Sequence, residues 1–103
     1  MNEFFPCRAV EHSDGSYAAV TSDFHYFDAY FKNGCGGYDL QSLAKSLAKK
    51  HDIKGLKYDC EAGMFCVYSK DLDALKSLCE RLREISGQQS DYAPVRPQKP
   101  KIK

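Results

Sequence analysis

The sequence predicts an α+β fold in one small domain, with the element order ββ-α-α-ββ-α and a four-stranded antiparallel sheet with helices packed on one face. Two stretches carry apolar residues at steps of three and four, which is typical of amphipathic helices. Two other stretches are rich in β-branched and aromatic residues around a glycine turn, which is typical of hairpins. A length of 103 residues allows a single core of two packed layers.

The N-terminal stretch FFPCRAVEHSDGSYAAVTSD predicts the first hairpin. Its turn falls at Ser13-Asp14-Gly15, a combination that readily supplies positive φ.

A short helix is predicted next, in DFHYFDAYFKNG. Its aromatic residues recur at helical spacing: Phe24, Phe27, Tyr30 and Phe31. Ser22 or Asp23 can cap its start, and Gly34 can stop it.

Two longer helices follow from clear apolar stripes. In YDLQSLAKSLAKKHD the stripe starts at Leu40, Asp39 is the predicted cap, and lysines collect near the end, where the helix dipole favours them. In KDLDALKSLCERLREISG the predicted cap is Asp71 and the stop is Gly87. Cys79 lies on the apolar face of this helix and is predicted to be buried.

The second hairpin lies between these helices, in KGLKYDCEAGMFCVYSK, and turns at Ala62-Gly63. Its second strand has few polar positions. We therefore expect that strand to be central in the sheet and covered at least partly on both faces.

Charge and proline content divide the chain into a domain, residues 1–87, and a C-terminal tail, residues 88–103. The domain holds eleven Lys and Arg against thirteen Asp and Glu, whereas the tail holds four basic residues, one Asp and three of the four prolines. Prolines at this density prevent continuous helix or strand hydrogen bonding. The tail is either a solvated terminus or a basic arm for nucleic acid or an acidic partner.

Targeting and cofactor signals are missing from the sequence. The N-terminus does not resemble a signal peptide and no apolar run approaches the length of a membrane span, so we expect a cytoplasmic protein without membrane contact. The five cysteines have irregular spacing, and none of the three histidines lies at zinc-site spacing from a cysteine. We expect reduced thiols that mostly fill the core, no metal and no cofactor.

Cys35, in NGCGGYD, is the candidate for a catalytic residue. It precedes a helix start, where the dipole can lower a thiol pKa, but nucleophilic catalysis also needs a histidine base, and neither His25 nor His51 is placed beside it by the sequence. The surrounding glycines lack the spacing of phosphate-binding loops, and we interpret them as a tight link that needs positive φ. Two further acids, Asp59 and Glu61, lie beside the second turn. Exposed turn residues are a commoner role for such acids than a glycosidase or metal site.

Two motifs resemble immunity protein family 51 of bacterial polymorphic toxin and contact-dependent inhibition systems. Gly37-Tyr38-Asp39 matches the start of the family's G-Y-D/E-W motif, with Leu40 at the usual tryptophan position. The stretch DCEAGMF, residues 59–65, matches the family's D-x-E-A-G-M-F motif, with Cys60 where proline is common. The similarity runs from about Phe24 to Ile85. The N-terminal hairpin is matched only loosely, and the tail is not covered.

The resemblance implies a non-enzymatic antitoxin, a monomer that binds one cognate toxin domain in a stoichiometric complex. Many toxins of such systems are nucleases, whose cationic clefts acids can occupy in place of phosphate. Exposed aromatic residues and acids are the natural contacts of such an inhibitor. The candidate contact residues are Tyr26, Asp28, Tyr30, Tyr38, Asp39, Asp59 and Glu61.

Other interpretations stay open at this point. Tyr30 and Tyr38 can instead pack in the core while the acids merely cap helices and turns. The protein can also be a small thiol enzyme that uses Cys35, or a nucleic-acid-binding module that uses the basic tail, although the domain itself is mildly acidic.

Overall fold

The fold is built from four strands and two α-helices in the predicted order, in a computed structural model that describes residues 3–28, 30, 31 and 34–87. The elements are β1 (Arg8–Glu11), β2 (Tyr17–Thr21), a 3₁₀ helix (His25–Phe27), α1 (Gly37–Lys50), β3 (Lys57–Tyr58), β4 (Phe65–Ser69) and α2 (Leu72–Ser86). The predicted tail, residues 88–103, lies outside the described residues.

The sheet has the strand order β1-β2-β4-β3 with every neighbouring pair antiparallel. The prediction that β4 is central is confirmed, because β4 pairs with both β2 and β3. Burial alternates along β4, so Phe65 and Val67 point into the core while Cys66 and Tyr68 point to the opposite face. Both helices contact β4 and each other, and they therefore cover the same face of the sheet.

The first hairpin turns where the sequence predicted. The His12 N–H donates to the Ser16 carbonyl at 2.9 Å, and Gly15 has a φ of 88°. The Asp14 carboxylate accepts from the backbone N–H and the hydroxyl of Ser16 at 3.0 and 2.6 Å. These bonds lower the pKa of Asp14 and fix the turn within five residues of chain.

Helix α2 confirms its predicted start, stop and buried face. The Asp71 carboxylate accepts from the Ala74 N–H at 3.2 Å, and Gly87 ends the helix in the left-handed conformation with a φ of 78°. The stripe is fully buried at Leu75, Leu78, Cys79 and Leu82. Removing side-chain volume from such positions costs about 2–5 kcal/mol each, so α2 anchors the core.

The short helix lies where it was predicted, but the prediction of its length and of its cap is wrong. The described residues form a three-residue 3₁₀ helix after Phe24, which makes no side-chain cap bond, and the Asp23 carboxylate instead pairs with the His25 ring. Aromatic residues are poor helix formers, and these pack in several directions: Phe27 is fully buried, whereas Tyr30 is 54% exposed.

The cap predicted for α1 is also wrong. Gly36 is the N-cap residue, and Asp39 lies in the first turn, where its carboxylate accepts the Gly36 N–H at 2.8 Å. The helix therefore begins before Asp39, for a reason that lies outside its own sequence.

No helix in the described part of the chain is long and apolar enough to cross a membrane.

Candidate partner-binding surface

The start of α1 rests directly on the turn between β3 and β4. The Gly37 N–H donates to the Ala62 carbonyl at 2.9 Å, and a Cβ at Gly37 would overlap the carbonyl oxygens of Glu61 and Met64. A Cβ at Gly36 would lie 2.8 Å from the Ala62 carbonyl oxygen. Only glycine allows this approach. The GYD motif, residues 37–39, therefore meets the DCEAGMF motif, residues 59–65, and we call this contact the motif junction.

These glycines serve a purpose that the sequence analysis missed. The predicted positive φ is present at Gly34, at 98°, but Gly36 has an extended φ of −125°. What Gly36 and Gly37 supply is close contact between backbones. The sequence contains one signal for such a contact, the presence of glycine in both motifs. That signal does not show that the segment beside Gly37 is the β3–β4 turn.

The β3–β4 turn is held by its own backbone. Glu61 and Met64 exchange two hydrogen bonds, at 2.8 and 3.1 Å, and the Asp59 N–H donates to the Cys66 carbonyl at 3.0 Å. The side chains of Asp59 and Glu61 are consequently exposed, as expected for turn acids.

Two of the three tyrosines expected at a contact face, Tyr30 and Tyr38, are exposed. Tyr38, beside the motif junction, is 57% exposed and Tyr30 is 54% exposed, so the alternative that they pack in the core is wrong. Tyr30 lies edge-on to Phe31 with ring centroids 4.9 Å apart, and Phe31 packs against the core. The Tyr30 ring thus packs against Phe31 on one side and is exposed to solvent on the other.

Tyr30 and Asp39 line the same shallow groove of about 230 Å³. The far wall of the groove is one face of α1 and contains Ser42, Leu43 and Ser46. Asp39 therefore has two roles. Its carboxylate stabilises the start of α1, as the alternative interpretation held, and its side chain also lines an exposed groove.

Asp28 and Asp39 both act electrostatically on Cys35. Burial raises the pKa of the Cys35 thiol to about 11, and the negative charges of Asp39 and Asp28 add to that effect. The thiol donates a weak hydrogen bond to the Gly36 carbonyl at 3.6 Å. A nucleophilic cysteine needs a lowered pKa, so this environment disfavours Cys35 as a nucleophile. The histidine nearest in sequence, His25, is paired with Asp23.

The exposed carboxylates of this region have no cationic partner within the part of the chain that the structure describes. None of Asp28, Asp39, Asp59 and Glu61 forms an ion pair with another described residue. The described residues also contain no group of three or more His, Cys, Asp or Glu side chains placed to hold a metal ion.

Tyr26 is placed differently from the other candidates. It is half-buried, packs edge-on against Phe5 with ring centroids 5.0 Å apart, and lines a separate pocket beside Pro6. Its position indicates a packing role, with part of the ring still open to solvent.

The fold and this surface define a small α+β protein that displays exposed tyrosines and acids at and near the junction of two sequence motifs. The sequence model of immunity protein 51 matches residues 8–91, which is most of the chain. The protein belongs to the immunity protein 51 family. The match includes the N-terminal hairpin, which the resemblance noted from the sequence covered only loosely, and residues 88–91 of the tail, which that resemblance did not cover. No curated protein and no solved structure matches the chain.

Proposed function

We propose that this protein is an antitoxin that binds and neutralises one cognate toxin domain in the cytoplasm, as a monomer in a one-to-one complex. The proposed contact surface comprises Tyr26, Asp28, Tyr30, Tyr38, Asp39, Asp59 and Glu61. Family membership supports an immunity role without catalysis. The observation that carries the choice of surface is the junction of Gly36 and Gly37 with the β3–β4 turn.

The chemistry of this surface favours a cationic partner. Four exposed carboxylates, none of them ion-paired to another described residue, create a negative potential that accelerates encounter with a positive surface. A nuclease is the toxin class that fits, because its substrate cleft must bind phosphates. The tyrosines add contact area at a low entropic cost, and Tyr38 follows Gly37 at the junction, where backbone contacts are already formed before binding.

The proposal is tested by co-expressing the protein with the C-terminal domain of the large secreted protein encoded immediately upstream. Rescue of growth and co-purification of a one-to-one complex are the expected results. The triple variant Asp28→Asn/Asp59→Asn/Glu61→Gln should weaken the complex about tenfold or more, mainly through slower and less salt-dependent association.

Glu11→Gln/Asp73→Asn/Glu80→Gln is the matched control, because it also removes three exposed acids, all of them outside the proposed surface. Equal weakening by the control and the triple variant would show that net charge acts rather than this surface. If no neighbouring toxin were rescued or bound, the antitoxin proposal would be rejected.

A further inference from the structure

The sheet has a second face, which the two α-helices do not cover. Both helices lie on the side of Phe65 and Val67, whereas Cys66 and Tyr68 point to the opposite side. Residues directly opposite each other in neighbouring strands share a face, so the strand register identifies the other members of this side. We call it the outer face, and it comprises Arg8, Val10, Ala18, Val20, Lys57, Cys66 and Tyr68.

The centre of the outer face is apolar. The central strands β2 and β4 contribute Ala18, Val20, Cys66 and Tyr68 to it, and none of these side chains is charged. Ala18 is buried, and the other three are partly exposed. An antiparallel sheet with one solvated face usually places polar side chains on that face. The apolar centre departs from this pattern and indicates a face that meets another surface.

Exposed cations lie at both edges of the outer face. Arg8 is in edge strand β1 and Lys57 is in edge strand β3, and neither forms an ion pair with another described residue. The two positions are separated by three strand spacings across the sheet and two residues along it, which is about 16 Å. Glu11 is the one acid within the four strands, and it pairs with Tyr17 on the helix-covered face.

A pocket adjoins each of these two cations. Arg8 and Val20 line a pocket of about 290 Å³. Lys57 and Tyr68 line a larger pocket of about 480 Å³, which also contains the exposed Lys70. Each edge of the outer face therefore offers a cation together with a recess beside it.

The acids that line the same pockets already have partners. Asp23, in the smaller pocket, pairs with the His25 ring. Asp14 and Asp71, in the larger pocket, accept hydrogen bonds from the β1–β2 turn and from the first turn of α2. Neither lysine of the larger pocket forms an ion pair with another described residue. The cations are thus available to a carboxylate from another molecule.

We propose that the outer face binds an extended acidic segment of another protein, which carries two carboxylates about five residues apart with apolar side chains between them. One carboxylate pairs with Arg8 and the other with Lys57, and the intervening residues cover Val20 and Tyr68. The spacing follows because an extended chain advances about 3.3 Å per residue and must span about 16 Å.

Three other occupants fit the outer face less well. The tail, residues 88–103, holds four basic residues and one Asp, so the cations at the edges would repel it. A second copy packed through the same face would place one cation-bearing edge against another. Nucleic acid needs cations that follow its closely spaced phosphates, whereas the centre of this face is uncharged.

The test selects peptides from a random phage-displayed library on the full-length protein, without toxin, so its outcome is independent of the proposed function. The expected consensus has two acids about five residues apart with apolar residues between them. In an NMR titration of the isotope-labelled protein, the selected peptide should shift backbone amide signals of β2 and β4. The amide signals of the motif junction should stay unchanged.

Arg8→Gln/Lys57→Gln should weaken binding of the selected peptide about tenfold or more at low salt. Lys49→Gln/Lys50→Gln is the matched control, because it also removes two exposed cations, both on α1 and outside the outer face. The control should bind the peptide as the wild type does.

The proposal would be overturned by a consensus without acids, by the absence of any consensus, or by equal weakening in the two double variants. Amide shifts confined to the motif junction would overturn it too. Binding of a labelled single-stranded oligonucleotide that Arg8→Gln/Lys57→Gln abolishes would replace the acidic segment with nucleic acid. Dimerisation in analytical ultracentrifugation that the same variant abolishes would replace it with a second copy of the chain.

Discussion

The two α-helices begin in physically different ways. Helix α2 starts at its own cap, where the Asp71 carboxylate accepts the Ala74 N–H three residues later. Helix α1 starts where Gly37 meets the carbonyl oxygens of a turn more than twenty residues further along the chain. The start of α2 is therefore determined by local sequence, whereas the start of α1 is determined by a tertiary contact. The candidate surface lies at the start of α1.

The comparison is tested most severely by Gly37→Ala. The added methyl would overlap two backbone carbonyls, and backbone cannot rotate away as a side chain can. We expect a loss of about 3 kcal/mol in the free energy of unfolding, measured by urea denaturation. Because the motif junction positions Tyr38 and the β3–β4 turn that contains Glu61, binding of the toxin domain should weaken as well.

Gly63→Ala is the matched control, because Gly63 lies in the turn that Gly37 contacts but has nothing within 4 Å of an added Cβ. This variant should change the free energy of unfolding by less than about 0.5 kcal/mol. If Gly37→Ala were as mild as Gly63→Ala, the close contact would not determine where α1 begins.

Local chemistry explains which parts of the fold could be predicted from the sequence. The β1–β2 turn, both ends of α2 and the central position of β4 each follow from residues within one short segment, and all were predicted correctly. The start of α1 was placed at Asp39 because an acid before an apolar stripe usually caps a helix. The local sequence could not reveal that Gly36 and Gly37 have a distant backbone to contact.

The same distinction applies to the candidate surface. The acids near the second turn could be predicted to be exposed from turn chemistry alone, and Asp59 and Glu61 are exposed. The exposure of Tyr30 does not follow from helical spacing, because Tyr30 shares that spacing with Phe27, which is fully buried. The 3₁₀ helix ends at Phe27, so the periodicity of an α-helix does not extend to Tyr30.

A smaller effect is expected at the two carboxylates near the helix starts. Asp71→Ala should cost about 1 kcal/mol, because it removes the cap bond of a helix that begins by local chemistry. Asp39→Ala should cost roughly half as much, because the Gly36 N–H that it leaves is at an exposed site where water can replace the carboxylate. Thermal and urea unfolding of both variants measure the difference.

Asp39→Asn separates stability from recognition at that position. The amide oxygen can still accept the Gly36 N–H, so stability should stay near that of the wild type while the negative charge is lost. Weaker toxin binding with unchanged stability would support a contact role for Asp39. An equal cost for Asp39→Ala and Asp71→Ala would instead mean that both helix starts depend on their caps to the same extent.

The smallest effect concerns the β1–β2 turn, the other locally encoded region. The Ser16 hydroxyl and N–H lower the pKa of Asp14 in the folded protein, so the ionised carboxylate stabilises the fold at pH values above the ordinary carboxyl pKa. That contribution is lost as the pH falls through the lowered folded pKa. Ser16→Ala removes the hydroxyl bond and should shift the Asp14 pKa upward, as followed by an NMR pH titration. Because the turn is independent of the motif junction, the same variant should leave toxin binding unchanged, and altered binding would show that the two regions are coupled.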